Sequence, residues 1–239
     1  MENSNSYISV ILPCFNEREN ILALVVAVDN ALIRFKREII VVDDNSPDGT
    51  YQALVEKSFP NVVPILRTHD KGFANSIRCG IEKSKGNIVI VMDSDFNHKP
   101  EYLPFMVDNI SYYDCVSGSR YLYGGVMENP VRFQLSWLFN IFVRLMTGGK
   151  ITDSLYGFFA IKREVLVSVD FNKVFWGYGD YCIRLFYYLQ KKNIGVLQFP
   201  AINGKRIAGE GNSRLFKVFR QYFTEVIKLA YSIRIKKDV

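Results

Sequence analysis

The sequence predicts an α/β fold in which a mostly parallel central sheet is covered by helices on both faces. Two observations support this prediction. Short runs rich in Ile and Val alternate with segments of helical period, and the connections between them are short. The chain has 239 residues, of which 49% are apolar and 23% charged, so its length and composition are those of one large folded domain.

The predicted elements alternate regularly up to about residue 112. Strands are expected at residues 8–12, 38–42, 62–66 and 88–92, and helices at about 21–33, 50–59 and 72–85. Because a helix separates each strand from the next, neighbouring strands are expected to be parallel and to carry helices on both sides.

The second half of the chain is less regular. Strands are predicted at residues 114–119 and 157–161, and helices at 178–192 and 213–236. No linker or repeat divides the chain, so we predict one domain at residues 1–212. A basic amphipathic helix at 213–239 packs on this domain or is appended to it. The glycine-rich segment 203–214 is predicted to be a mobile loop over the site.

Two carboxylates, Asp93 and Asp95, follow the apolar run at residues 88–92. A run of this kind is typical of a buried strand, and ligands of open α/β sheets bind at the carboxyl ends of the strands. Neighbouring hard-oxygen ligands suit Mg²⁺ or Mn²⁺, whose coordination a diphosphate completes. An Asp-x-Asp pair alone is weak evidence; its place at a strand end makes it a candidate metal site.

Polar clusters also follow the first and second predicted strands, at residues 13–17 and 43–50. Clusters that meet at one sheet edge supply what a nucleotide pocket needs: an aromatic face for the base, a carboxylate for the ring or ribose, and a metal for the phosphates. Taken alone, the stretch 43–50 is equally typical of a turn, because Asn, Asp, Pro and Gly dominate turns.

Several motifs together resemble those of the family 2 glycosyltransferases of the GT-A fold, and most closely those of the dolichol- or polyprenyl-phosphate sugar synthases. They are Val10–Pro13 with Asn16–Asn20, Val42–Thr50, Met92–Asp95, His98, Pro100, Gly118–Tyr121, and Asp153 with Gly157–Phe159. The resemblance extends from about Ser9 to Leu215, and the ordered succession of motifs makes it specific.

The resemblance implies a role for individual residues of this chain. It places nucleotide binding at Pro13, Phe15, Glu17, Val42, Asp44, Lys71 and Asp93, and the divalent cation at Asp93, Asp95 and Asn97. It places phosphate and acceptor binding at Arg120, Arg132, Arg206 and Arg214, and catalysis at Asp95, Arg120, Asp153 and Asp180. Arg214 stands where the family has Lys, which keeps the charge and adds bidentate geometry.

The chain departs from the family at a candidate general base. The lipid-phosphate synthases usually carry a Glu in the helix that starts near residue 178, where this chain has Ile183. Asp180 could take that role, or it could serve as an acidic residue in the first turn of the helix. A lipid phosphate is already an anion and needs little deprotonation, whereas a sugar hydroxyl would need a base.

The resemblance therefore predicts a metal-dependent inverting transferase that moves a hexose from a nucleotide-diphosphate sugar to a polyprenyl phosphate, with Mg²⁺ or Mn²⁺ as cofactor. One alternative is the same transfer onto a saccharide hydroxyl in surface polysaccharide assembly. A remote alternative is a non-catalytic partner that binds nucleotide sugars. A nucleic-acid partner is not expected, although the net charge is +6, because acidic strand ends would repel phosphate without a metal.

Contact with a membrane surface is also predicted. Residues 135–146 are apolar nearly all round, and residues 215–233 combine apolar residues with Lys and Arg. Both segments suit interfacial helices, although either could instead pack on the core. Four widely spaced cysteines without a pairing pattern indicate a reducing compartment. With no run of 18 apolar residues, we expect a cytoplasmic protein that is peripheral at the cytoplasmic face of the membrane.

Overall fold

The computed structural model describes residues 6–203 and 215–235, with a regular succession of strands and helices in the first half. In chain order these are β1 (Tyr7–Cys14), α1 (Arg18–Ala31), β2 (Lys36–Asp43), α2 (Thr50–Lys57), β3 (Val62–Leu66), α3 (Phe73–Lys83) and β4 (Ile88–Val91). Each strand and helix predicted there is present, with ends shifted by a few residues.

The second half begins with a 3₁₀ turn at Pro100–Tyr102 and adds shorter elements. They are α4 (Leu103–Asn109), β5 (Cys115–Ser119), α5 (Pro130–Thr147), β6 (Phe159–Lys162), α6 (Arg163–Val167), α7 (Phe171–Val174), α8 (Tyr181–Lys191), β7 (Val196–Pro200) and α9 (Leu215–Ile235). The sequence analysis did not identify α4, α6, α7 or β7.

In the described residues the strands form one sheet in the order β3-β2-β1-β4-β6-β5-β7. Strand β6 is antiparallel to both of its neighbours, and the other neighbouring pairs are parallel. The sheet is thus mostly parallel, as predicted. Because β6 runs in the opposite direction, the residues before it reach the same edge as the carboxyl ends of the parallel strands.

The core lies on both faces of this sheet. Alternate residues of β1 point to opposite sides, so Val10 packs in the cluster that contains α1, and Ile11 in the cluster that contains α3 and α8. Helix α3 approaches the sheet closely at Gly80, where a Cβ atom would lie 2.5 Å from a methyl carbon of Ile11. A larger residue at this position would push α3 away from the sheet.

A third, smaller cluster joins α5, α8 and α9. Its buried members are Phe139, Val143, Ile183, Val226 and Leu229. The same helices leave other apolar side chains exposed, including Leu135, Leu138 and Leu145 of α5 and Phe219, Phe223 and Ile227 of α9. In the two described ranges, no helix combines the length and the apolar character that a membrane span requires.

Candidate active site

A cleft of about 190 Å³ opens at the carboxyl edge of the sheet, beside the ends of β4 and β5. Its lining combines charged, amide and aromatic side chains from both halves of the chain. They include Phe73, Asp93, Asn97, His98, Arg120, Arg132, Tyr156, Tyr178, Tyr181, Asn203 and Tyr222. The structure therefore brings together several predicted site residues that are far apart in the sequence.

Hydrogen bonds join the loop after β1 to the loop after β2. The backbone N–H of Asn16 donates to Ser46 Oγ at 2.9 Å, and that of Glu17 donates to Thr50 Oγ1 at 3.1 Å. Pro13 and Val42 are buried beneath these loops, and the side chain of Phe15 is 55% exposed. An exposed aromatic ring on a fixed loop is suited to stacking against a base.

The Asp44 carboxylate is held from two directions. Arg67 Nη1 donates to one oxygen at 2.7 Å, and the backbone N–H of Gly72 donates to the other at 2.7 Å. Asp44 is nearly buried, whereas Lys71 is exposed. The sequence analysis did not single out Arg67, because no local pattern indicates its contact with Asp44. It fixes the orientation of the carboxylate that was predicted to contact the nucleotide.

The acidic pair after β4 is organised by short local hydrogen bonds. Asp95 accepts the backbone N–H of Asn97 at 3.1 Å and the side-chain amide of Asn97 at 2.7 Å. Ser94 Oγ donates to the Pro13 carbonyl oxygen at 2.9 Å, which ties the end of β4 to the end of β1. Asp95 is almost buried, while the Asp93 side chain is 34% exposed and lines the cleft.

His98 lies beneath Asp93 in a neutral state. Burial lowers the pKa of His98 to about 3, and the nearby Asp95 charge opposes this shift only in part. Its Nδ1 accepts the backbone N–H of Asp93 at 2.8 Å, so the proton of the neutral ring is on Nε2. Nε2 lies 3.7 Å from an Asp93 carboxylate oxygen. Stacking of the ring on Phe158, with centroids 4.9 Å apart, holds this orientation.

Arg120 and Asp153 form a buried, bidentate ion pair. Arg120 Nε and Nη2 donate to the two Asp153 oxygens at 2.7 and 2.8 Å, and the Arg120 backbone N–H donates at 3.1 Å. Burial by itself lowers the pKa of Arg120, but the Asp153 charge and hydrogen bonds raise it above its ordinary value. Arg120 lines the cleft, and its guanidinium lies 5.0 Å from the centre of the Tyr156 ring.

Arg132 reaches the same cleft from the first turn of α5. Asn129 Oδ1 accepts the Arg132 backbone N–H at 2.9 Å, and Pro130 occupies the first turn. These are the residue types that start a helix well. The positive end of the helix dipole adds to the Arg132 charge, which makes this corner of the cleft suitable for an anion.

Asp180 is fully buried and is bound to Arg184 at 2.5 Å. It also accepts the Tyr178 backbone N–H at 2.8 Å. The sequence analysis did not single out Arg184, although its i, i+4 spacing from Asp180 was the signal that could have found it. Ile183, at the position of the family's Glu, is buried in the cluster between α5, α8 and α9. The predicted phosphate ligands Arg206 and Arg214 lie outside the described residues.

The oxygen atoms of Asp93, Asp95 and Asn97 are of the type that ligate divalent cations such as Mg²⁺. Among the residues that the structure describes, no group of three or more His, Cys, Asp and Glu side chains is placed to hold a metal ion. Asp93, Asp95 and the Asn97 carbonyl oxygen are hard-oxygen donors, and Asn97 hydrogen-bonds to Asp95. Mg²⁺ is commonly bound by one or two carboxylates and by substrate phosphates, without a complete protein cage.

Comparisons with known proteins identify the family of the chain. The model of the family described as glycosyl transferase family 2 matches residues 9–169. The dolichol-phosphate mannosyltransferase of Pyrococcus furiosus is 34% identical over 228 residues, which are 93% of this chain. The polyprenol monophosphomannose synthase of Mycolicibacterium smegmatis is 34% identical over 74% of this chain and 68% of its own length. The chain spans 63% of the length of the Pyrococcus furiosus protein.

A solved structure supports the fold. Glucosyl-3-phosphoglycerate synthase from Mycobacterium tuberculosis, crystallised with Mn²⁺, uridine diphosphate and phosphoglyceric acid, matches with a TM-score of 0.73. The match covers 95% of this chain and 79% of that chain, at 18% sequence identity. This likeness confirms the predicted GT-A fold. The family match and the identity to its relatives confirm the predicted enzyme class as well: the chain belongs to glycosyl transferase family 2.

Proposed function

We propose that this chain is a metal-dependent inverting glycosyltransferase that moves a hexose from a nucleotide-diphosphate sugar to a polyprenyl phosphate. The observation that carries the proposal is the meeting of Asp93, Arg120 and Arg132 in one cleft. A carboxylate would suit a divalent cation, and two arginines suit phosphate oxygens. Two relatives, named dolichol-phosphate mannosyltransferase and polyprenol monophosphomannose synthase, support the same assignment.

The donor is assigned to the edge formed by β1, β2 and β4. In this proposal Phe15 stacks on the base, and Asp44, held by Arg67, accepts a hydrogen bond from the base or the ribose. Pro13, Glu17, Val42 and Lys71 complete the predicted nucleotide contacts. Asp93, Asp95 and Asn97 would hold the cation, and a bound cation would supply positive charge to neutralise the departing diphosphate. The Mn²⁺ or Mg²⁺ complexes of the Mycobacterium tuberculosis structures support this use of a metal.

The arginines supply fixed positive charge. Asp153 holds the Arg120 guanidinium in one orientation, so Arg120 needs no rearrangement as charge develops on the phosphates. Arg132 is exposed and lies at the start of α5, where the phosphate of the acceptor can reach it. The predicted phosphate contacts of Arg206 and Arg214 remain part of this proposal.

The burial and ion pairing of Asp153 and Asp180 favour a lipid phosphate as acceptor. Asp153 and Asp180 were predicted as catalytic, but both are fully buried and each is bound to an arginine. Neither is among the residues that line the described part of the cleft. We therefore propose that they position Arg120 and Arg184. An acceptor phosphate is already an anion, so an oxygen of the phosphate attacks the anomeric carbon without a general base.

The proposed reaction is a single displacement. The acceptor phosphate oxygen forms a bond to the anomeric carbon, and the bond from that carbon to the diphosphate oxygen breaks. The bonding electrons leave with the nucleoside diphosphate. Because the attacking oxygen approaches opposite the leaving group, the configuration at the anomeric carbon is inverted.

Contact with a membrane would bring the cleft to its lipid acceptor. Helix α5 exposes Leu135, Leu138 and Leu145, and α9 exposes Phe219 and Phe223. The two helices are joined by contacts such as the stacked rings of Phe142 and Phe223, whose centroids are 5.0 Å apart. Exposed apolar side chains on paired helices suit a peripheral location at the membrane surface. The free thiols of the chain are consistent with the cytoplasmic face.

The packing of α9 also supports the proposed division of the chain. Val226 and Leu229 are buried against Phe139 and Val143 of α5. Residues 1–212 would then form the GT-A domain, and residues 213–239 its basic C-terminal helix, packed on the same domain.

The test is incorporation of radiolabelled hexose from GDP-, UDP- and dTDP-sugars into polyprenyl phosphate, with Mn²⁺ or with EDTA. The proposal predicts a metal-dependent product that is extracted into chloroform and is labile to mild acid. Proton NMR of the product reports inversion at the anomeric carbon. Label that appears only in water-soluble saccharide would instead support transfer to a sugar hydroxyl. Binding of nucleotide sugar without turnover would support a non-catalytic partner.

A further inference from the structure

A network of buried charges lies beside the part of the cleft that Tyr178, Gly179 and Tyr222 line. Arg184 of α8 is almost completely buried. Its Nη1 donates to Asp180 at 2.5 Å, its Nε donates to the Val174 carbonyl oxygen at 3.0 Å, and its Nη2 donates to the Trp176 carbonyl oxygen. One guanidinium therefore holds the loop between α7 and α8 at its beginning, middle and end.

Helix α9 joins the same network. Glu225 is buried, and one of its oxygens lies 3.6 Å from Arg184 Nη1. Its other oxygen is bound to Lys228 at 2.7 Å, and the Lys228 side chain is mostly exposed. Gln221, one turn earlier in α9, donates to Asp180 at 3.3 Å. The C-terminal helix and the loop thus share the charges of Arg184 and Asp180.

This loop and α9 together form a wall of the cleft. Tyr178 and Gly179 of the loop line the cleft beside Tyr222 of α9. They are packed so closely that a Cβ atom at Gly179 would lie 2.2 Å from the Tyr222 hydroxyl oxygen. Arg132 of α5, the proposed contact of the acceptor phosphate, lines the same cleft, so we assign the wall to the acceptor side.

We propose that Arg184 and Glu225 are positioning residues, and that their ion pair holds the loop of residues 174–180 against α9 in the shape that the acceptor requires. A buried ion pair adds little net stability, because desolvation of the charges offsets their attraction. The hydrogen bonds from Arg184 to Asp180 and to the Val174 and Trp176 carbonyl oxygens are directional, however, and Glu225 lies against the guanidinium that donates them. The apolar contacts between α5 and α9 cannot fix the carbonyl groups of a loop. The assignment to the acceptor rests on the proposed function; the positioning of the loop does not.

The position of the loop can be measured without any activity. The chain has two tryptophans, so a Trp137→Phe background leaves Trp176 of the loop as the single tryptophan, which is excited selectively at wavelengths where tyrosine does not absorb. The Arg184 guanidinium lies 3.8 Å from the centre of the Trp176 ring. In this background, Glu225→Gln should increase the quenching of Trp176 by acrylamide and shift its emission. The matched control Lys228→Gln removes only the exposed partner of Glu225 and should change neither.

The kinetic test uses the full chain with its native tryptophans. Glu225→Gln should raise the KM for polyprenyl phosphate by about 10- to 100-fold, because small misplacements of a binding wall have effects of this size. The KM for the nucleotide sugar should be unchanged. Glu225→Asp, which keeps the charge, should restore part of the loss, and Lys228→Gln should behave as wild type.

Two results would overturn the inference. One is wild-type quenching and wild-type acceptor KM in Glu225→Gln. The other is an equal loss for donor and acceptor together with a lower melting temperature, which would make the pair merely structural. A wild-type chain that transfers no sugar to lipid phosphate would refute the proposed function, while the quenching experiment would still decide the positioning role. Glu225→Gln is preferred to variants of Arg184, which would leave two carboxylates buried without their partner.

Discussion

The two sides of the cleft use the same residue type in different ways. On the donor side, the Asp93 side chain is 34% exposed and lines the cleft after a regular strand. On the acceptor side, Asp153 and Asp180 are completely buried and are bound to Arg120 and Arg184. Exposure separates the two roles: the partly exposed Asp93 is available to a cation, whereas the buried Asp153 and Asp180 hold arginines in place.

The largest effect on the rate of transfer is expected from a substitution on the donor side. Asp95→Asn keeps the shape of the side chain but removes the charge proposed to hold the cation. We expect the rate of transfer to fall by about 10²- to 10³-fold or more, as for the loss of other electrostatic groups in active sites. Steady-state kinetics at saturating Mn²⁺ measures this. Because Asp95 is buried, a wild-type circular dichroism spectrum at the assay temperature is the control. Retention of most of the activity would refute the assignment.

A loss of stability is expected on the acceptor side. Asp153→Asn leaves the Arg120 guanidinium buried without its counter-charge, which costs about 3–5 kcal/mol of unfolding free energy. Urea denaturation measures the loss. Asp93→Asn is the matched variant on the donor side and should lose little stability, because Asp93 is partly exposed. Equal losses in the two variants would show that the two sides do not differ as described.

A smaller effect on activity is expected from His98, whose neutral ring contacts Asp93. His98→Phe removes the ring nitrogen that accepts the Asp93 backbone N–H. Groups that orient a metal ligand typically contribute 10- to 100-fold in metal affinity, so the affinity for Mn²⁺ should fall by about this factor. Calorimetry of Mn²⁺ binding in the presence of nucleoside diphosphate measures it. Wild-type Mn²⁺ affinity in the variant would remove His98 from this role.

The smallest effect on stability is expected at a partly exposed ion pair outside the lining of the cleft. Asp29 accepts hydrogen bonds from Arg37 at 2.7 Å, and these lower the pKa of Asp29 below its ordinary value of 3.8. Its contribution is therefore present above pH 3.8 and is lost as the pH falls through the folded-state pKa. Asp29→Asn should cost about 1 kcal/mol or less at neutral pH. Urea denaturation at neutral and acidic pH should show the difference from wild type disappearing in acid.

The same contrast explains what the sequence could predict. The strands and helices up to β4, and the residues at their ends, follow from local periodicity and short motifs. Strand β7 was missed, because Val196–Pro200 is short, only partly buried and interrupted by Gln198. The pairing of Asp153 with Arg120 joins residues 33 positions apart, and that of Arg184 with Glu225 joins α8 to α9. No local pattern encodes such contacts, so the acceptor side required the structure.

The most direct test of the account compares two acceptors in one assay. Transfer of labelled hexose is measured to a polyprenyl phosphate and to the polyprenol of the same chain length, each with Mn²⁺ and with EDTA. If the proposed cation is bound and Asp153 and Asp180 only hold arginines in place, the chain should glycosylate the phosphate only, and only with Mn²⁺. Equal transfer to the alcohol, or transfer that persists in EDTA, would contradict the account.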